Sequence, residues 1–159
     1  MQTIHLEAVL AAPADNVWEA MKSPATFLYV VRGVFGVPAL TGRTTPMRVG
    51  ERGTGWVLLF HVLPLTRHTI ELVEVDEESR TLRSREHGGV VRTWNHTLHV
   101  EPLDDRTSRY SDTVEIDAGL FTSVVARGAK GIYRYRHRRW HKLARKHLSA
   151  DGPAYARTA

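Results

Sequence analysis

The chain has 159 residues, 42% hydrophobic and 25% charged, which is enough apolar material for one domain with a sizeable core. It has no cysteine, which excludes disulfides, thiol nucleophiles and thiolate metal sites, and no uninterrupted apolar run of the ~18 residues a membrane span needs. Lys and Arg total 22 against 17 Asp and Glu, but nine basic and no acidic residues fall in 118–150, leaving 13 basic against 17 acidic elsewhere.

The start, MQTIHLEAVL, lacks the basic opening, apolar stretch and cleavage site of a secretory signal, so a cytoplasmic location is expected. Residues 3–11 alternate apolar and polar, with Ile4, Leu6, Ala8 and Leu10 against His5 and Glu7, and predict a strand. Pro13 suits the first turn of a helix, and Asp15 lies favourably near the positive end of its dipole. Val17, Trp18 and Met21 give that helix its apolar side, Ser23-Pro24 breaks it, and a second short helix is predicted over 24–31 with Phe27 and Val30 as anchors.

Residues 33–55 contain six glycines and two prolines, and predict one short strand over 34–37 followed by a loop. Strand-like segments then follow at 55–63, 67–75, 81–87, 90–100 and 108–118. The separators are turn-rich: Pro64, Asp76-Glu77-Glu78-Ser79, Gly88-Gly89, and the stretch from Pro102 to Asp105. Connections this short require neighbouring antiparallel strands rather than crossover helices.

Residues 120–148 lack proline and predict one long helix. At roughly 100° per residue, Val125, Ala129, Ile132, Tyr133, Trp140, Leu143 and Ala144 share a stripe, while Arg127, Arg134, Arg138, Lys142 and Arg145 fall opposite. That cationic face suits an anionic surface or an acidic partner, or is simply solvated; nucleic acid is not the expected partner. Gly128 and Gly131 weaken the helix locally and suggest a bend or close packing. The expected organisation is a single domain over 1–150 with a flexible tail over 151–159. A sheet needs its apolar face covered, and only the last helix is long enough to cover it. The expected class is therefore α+β: a curved antiparallel sheet of six to seven strands around a long C-terminal helix, with two short helices after the first strand.

The run Ala12-Pro13-Ala14-Asp15-Asn16-Val17-Trp18-Glu19-Ala20-Met21, followed by Ser23-Pro24-Ala25-Thr26-Phe27, resembles the opening of the SRPBCC superfamily. That superfamily includes START lipid-transfer domains, birch-pollen-allergen-like proteins and polyketide cyclase/dehydrase-type proteins. The segments 93–97, 110–112, 117–119 and 133–140 are similar to an uncharacterised bacterial branch of it. The resemblance implies a helix-grip fold with a cavity beneath the C-terminal helix. It does not imply one activity, since such folds host carriers, receptors and enzymes, and no motif fixing catalytic residues is matched.

Several polar residues are placed inward by alternation. His96 shares the apolar face of its strand with Trp94, Leu98 and Val100, and Asp112 shares another with Tyr110, Val114 and Ile116. A hairpin turning near Asp104-Asp105 would bring His96 and Asp112 opposite or diagonal, which suits either acid–base work or a satisfied core pair. Arg136 lies in the apolar stripe of the last helix, and a buried guanidinium needs a carboxylate partner, for which Glu86 and Asp112 are candidates, or an anionic ligand. His61 sits in a run apolar on both faces, so its direction is open.

His137 and His141 have the spacing of a helical metal pair, but no glutamate lies between them and they border the charged side, so no metal site is expected. Gly50 to Gly55 lacks the Gly-Lys-Ser/Thr ending of a phosphate loop. The expectation is a cofactor-free domain holding a small hydrophobic or amphipathic molecule, whether lipid, isoprenoid or aromatic polyketide-like. Arg136, Glu86, Trp94, Tyr110, Tyr133, Trp140 and His61 are the candidate ligand-binding residues. The alternatives are a metal-independent cyclase/dehydratase using His96 and Asp112, and an interaction module using the cationic helix face.

Overall fold

The alternating segments pair into one antiparallel sheet in a computed structural model that describes residues 1–150; the tail expected over 151–159 lies outside the described residues. The strands are β1 (Gln2–Leu10), β2 (Phe35–Gly36), β3 (Arg52–Leu59), β4 (Leu63–Asp76), β5 (Thr81–Gly88), β6 (Val91–Pro102) and β7 (Ser108–Asp117). They lie in the order β1-β7-β6-β5-β4-β3-β2, so the first strand closes against the last and all other neighbours are consecutive. Helices α1 (Ala14–Met21) and α2 (Pro24–Val31) follow β1, and α3 (Thr122–Leu143) ends in a wider π turn over Ala144–Leu148. This is the helix-grip fold. Among the described residues no helix is long and apolar enough to cross a membrane.

Local chemistry explains the element ends. Pro13, with φ −57° and ψ 145°, leads into α1, and Asp15 sits in its first turn. Ser23 is extended, as the residue before a proline must be, and Pro24 opens α2 where its missing N–H is harmless. The β6–β7 turn is held by Asp104, whose carboxylate accepts from the backbone N–H groups of Arg106 and Thr107. Register shifts at Val57/Leu58, Leu72/Glu74 and Glu86/Gly88 bend three successive strand pairs and curl this half of the sheet.

One reversal differs from expectation. The chain turns at Phe60 and His61, both with positive φ (51° and 66°), so β3 ends at Leu59 and Pro64 stands inside β4 opposite Leu58. Pro64 is tolerated there because it lies next to the register shift, where the ladder is already interrupted. The turn is made by a left-handed pair of bulky residues and a bond from the Phe60 N–H to the Val34 carbonyl, neither of which composition signals.

The core lies on one side. Leu10, Val17, Trp18, Val100, Tyr110 and Trp140 belong to its larger cluster, while Ile4, Val114, Ile116, Ala129 and Tyr133 form a second. α3 packs on β1, β7 and α2. Arg139 reinforces the last contact by donating to the Tyr29 carbonyl with its guanidinium 4.1 Å from the Tyr29 ring. Arg127, Arg134, Arg138, Lys142 and Arg145 are exposed on the outer face of α3 and the π turn.

Gly128 and Gly131 do not serve close packing: both are exposed, and a Cβ added at either meets nothing within 4 Å. Gly131→Ala should therefore stabilise the protein by about 0.5–1 kcal/mol through helix propensity and a less entropic unfolded chain. An unchanged or lower midpoint in urea titration would show that the glycine has a packing role.

Candidate functional site

Because α3 rests on β1 and β7, the curled half of the sheet faces it across a gap. The gap is a cavity of about 680 Å³, with Phe27, Phe35, Val57, Ile70, Val125 and Ile132 among its apolar walls. Its polar groups include His68, Glu86, His96 and Arg136. Glu86, His96 and Asp112 stand on three adjacent strands. The register sets His96 opposite Ser84 and Val114, so Glu86 and Asp112 each lie diagonal to it, in opposite directions.

Asp112, only 1% exposed, is the hub. His96 Nε2 lies 2.7 Å from its Oδ1 and His137 Nε2 lies 2.8 Å from its Oδ2. An ionised carboxylate only accepts, so both rings present Nε2–H to it. Arg136 Nη2 stands 3.8 Å from Oδ1, at ion-pair rather than hydrogen-bond distance. Burial opposes the charge on Asp112, but the Arg136 guanidinium and the N–H bonds from His137 and His96 outweigh it, holding the carboxyl well below the usual carboxylate range.

The chain of groups continues toward the cavity. His96 Nδ1 is 3.9 Å from Glu86 Oε1, Ser84 Oγ donates to the same oxygen at 2.6 Å, and His68 Nε2 is 2.9 Å from Oε2. Burial opposes the charge on Glu86 too, yet the His68 hydrogen bond and the neighbouring imidazoles hold its pKa below the ordinary value. Tyr133 is the platform beneath these groups. Its ring lies 5.2 Å from His96, edge-on, 6.3 Å from Trp94, stacked, and 4.6 Å from the Arg136 guanidinium. Burial pushes the Tyr133 phenol up, with Arg136 acting against it, so it stays a neutral hydroxyl.

Arg136 is the group left unmet. Its Nε is buried with no hydrogen-bond acceptor, and of its two candidate partners Glu86 is engaged by His68 and Ser84 while Asp112 lies beyond hydrogen-bond reach. The expected neighbourhood of His96, Asp112, Glu86, Arg136, Trp94 and Tyr133 is thus assembled in one place.

Three other expected residues lie elsewhere. Tyr110 and Trp140 are fully buried against each other, with rings 4.9 Å apart, and neither lines the cavity, because α3 covers them directly. His61 is exposed on the β3–β4 turn, where its Nε2 accepts from the Gly33 N–H at 3.3 Å. It is carried away from the cavity by the reversal at Phe60.

His137 is the residue that sequence reasoning passed over. Its spacing from His141 draws attention to a metal pair, but His141 is exposed and His137 is buried on Asp112. The signal was its position four residues after Tyr133 and three before Trp140, both in the apolar stripe.

A family model described as Domain of unknown function (DUF8410) matches residues 8–146. No curated protein matches the sequence. Among solved structures, the chain is similar to the Zhui aromatase/cyclase from Streptomyces sp. R1128 at 14% identity and a TM-score of 0.74, over 96% of this chain and 99% of that one. It is similar to norcoclaurine synthase from Thalictrum flavum, in complex with dopamine and hydroxybenzaldehyde, at 19% identity and a TM-score of 0.65, over 89% and 85%. It is also similar to the di-domain ARO/CYC BexL from the BE-7585A biosynthetic pathway at 18% identity and a TM-score of 0.69, over 89% of this chain and 46% of that one. At these identities the likeness is one of fold, and it is the fold that the opening motif's resemblance implies.

The depressed pKa of Asp112 has a definite sign for stability. The carboxylate contributes fully above its unfolded value near pH 4, and the contribution is lost as the pH falls below that. Asp112→Asn should lower stability at neutral pH by about 3 kcal/mol and flatten the acid limb of the urea midpoint against pH. An acid limb as steep as that of the wild type would show that other carboxylates govern it.

Proposed function

The chain belongs to the family described as Domain of unknown function (DUF8410), and on that premise we propose that it binds a small amphipathic molecule with an aromatic or polyketide-like body in the cavity beneath α3. The observation that carries this reading is the cavity itself: about 680 Å³, walled by apolar side chains, with a buried guanidinium at its polar end that has no hydrogen-bond acceptor on Nε. The volume is that of a small-molecule site. Apolar walls supply the driving force, and the Arg136 guanidinium lining the cavity would orient an oxygen on the ligand. The ring faces of Trp94 and Tyr133 favour a flat unsaturated body over a flexible lipid or isoprenoid chain. The aromatase/cyclase and the norcoclaurine synthase bound to dopamine and hydroxybenzaldehyde support the choice of aromatic chemistry by fold analogy.

One feature favours a second reading, a cyclase/dehydratase. His96 donates from Nε2 to Asp112 and lines the cavity, with its other nitrogen, Nδ1, 3.9 Å from Glu86. Nδ1 could take a proton from the carbon beside a ligand carbonyl, the resulting enolate resting against Arg136. Return of that proton to a hydroxide leaving from the next carbon releases water and completes an elimination in balance.

Titration with the neutral fluorophore N-phenyl-1-naphthylamine should give saturable one-to-one binding. Ile132→Trp, which fills the cavity from α3, should weaken it at least tenfold. Absence of saturable binding, or indifference to Ile132→Trp, would sink the binding reading. For the second reading, the protein should accelerate deuterium exchange at the carbon beside the carbonyl of 1-tetralone in D2O, followed by NMR, and His96→Gln should abolish the acceleration. If the wild type gives none, the site binds without acid–base chemistry.

A further inference from the structure

A second chamber of about 150 Å³ lies beside the main cavity, under the corner between α1 and α2. Its walls are apolar, with Met21 and Pro24 from the corner, Leu72 and Val75 from β4, Leu82 from β5 and Leu98 from β6. Glu86, His96 and Arg136 line both chambers, together with the apolar Phe27, Leu40, Met47 and Ile70. These polar side chains are therefore not the end of one pocket but a waist between two apolar spaces. The only cation lining the smaller chamber besides Arg136 is Lys22, and its ammonium is held by Glu19 and Glu77.

From this arrangement, and resting on the reading of the main cavity as a ligand site, we infer that the ligand is bipartite. A flat body fills the larger chamber, a neutral carbonyl oxygen lies at the waist on Arg136, and a short apolar arm enters the smaller chamber. Size sets the arm: a dry protein cavity of about 150 Å³ admits benzene, so an arm of about six carbons is the limit. Charge sets the oxygen. Two buried carboxylates, Asp112 at 3.8 Å and Glu86, already act on the one guanidinium at the waist, so a ligand carboxylate there would add a third negative group. The class that fits is an aryl alkyl ketone or its ester or amide counterpart, and Leu82 and Val75 become specificity-determining residues.

The test is a homologous series of 1-phenyl-1-alkanones, from acetophenone to 1-phenyl-1-dodecanone, read by displacement of the neutral fluorophore N-phenyl-1-naphthylamine. Each added methylene should tighten binding about fourfold until the arm reaches roughly six carbons, then cease to do so. Leu82→Trp should move the break to a shorter arm. Val75→Phe makes the same measurement should Leu82→Trp fail to fold. Racemic 2-phenylheptanoate, which places a carboxylate where 1-phenyl-1-hexanone has its carbonyl, should bind at least tenfold more weakly than that ketone.

Affinity that climbs smoothly through the longest arm, a break that neither variant moves, or a carboxylate that binds as well as the ketone would overturn the inference. Saturable binding of the fluorophore with no displacement by any ketone overturns the inference alone. Failure of the fluorophore itself to bind overturns the reading beneath it.

Discussion

A carboxylate with almost no access to water has to be met by donors, and Asp112 collects them from two elements. His96 comes from the neighbouring strand, while His137 and Arg136 come from the helix that covers the sheet. The carboxylate therefore does more than occupy the core: it sets the rotation of α3 about its axis and its height over β7. Once α3 is seated there, the strands on the far side have nothing opposite them, and the bulges in β3–β6 curl them around the space. Cavity and charge cluster have a common origin. A purely apolar residue at Asp112 would leave His96, His137 and Arg136 each seeking another acceptor.

The same asymmetry explains what could be read in advance. Element order, both short helices and the inward faces of β5, β6 and β7 follow from period-two alternation and proline placement, which are local signals. The meeting of His96 with Asp112 was legible because their strands are joined by a short turn that leaves little freedom of register. Alternation says that Tyr110 and Trp140 point inward, but not whether inward means core or cavity. That depends on which strands α3 covers, a tertiary fact with no local trace. His61 escaped because the chain reverses through two left-handed residues of a kind that rarely adopt that conformation. His137 was visible on the helical wheel, but its pairing with His141 offered a simpler pattern with the wrong partner.

The polar chain from His68 through Glu86, His96 and Asp112 to His137 alternates imidazole and carboxylate across four strands and a helix. Each carboxylate in it is met by at least one imidazole nitrogen, so neither is buried without a donor.

Glycine is what keeps the chamber open on two sides. Gly53 on β3 and Gly128 on α3 both line it, neither has a positive φ, and a Cβ at either would meet nothing within 4 Å. A β-carbon at either point finds open space, so alanine is accommodated without moving the backbone. Small side chains at these two points would therefore leave untouched the buried charges that seat the helix.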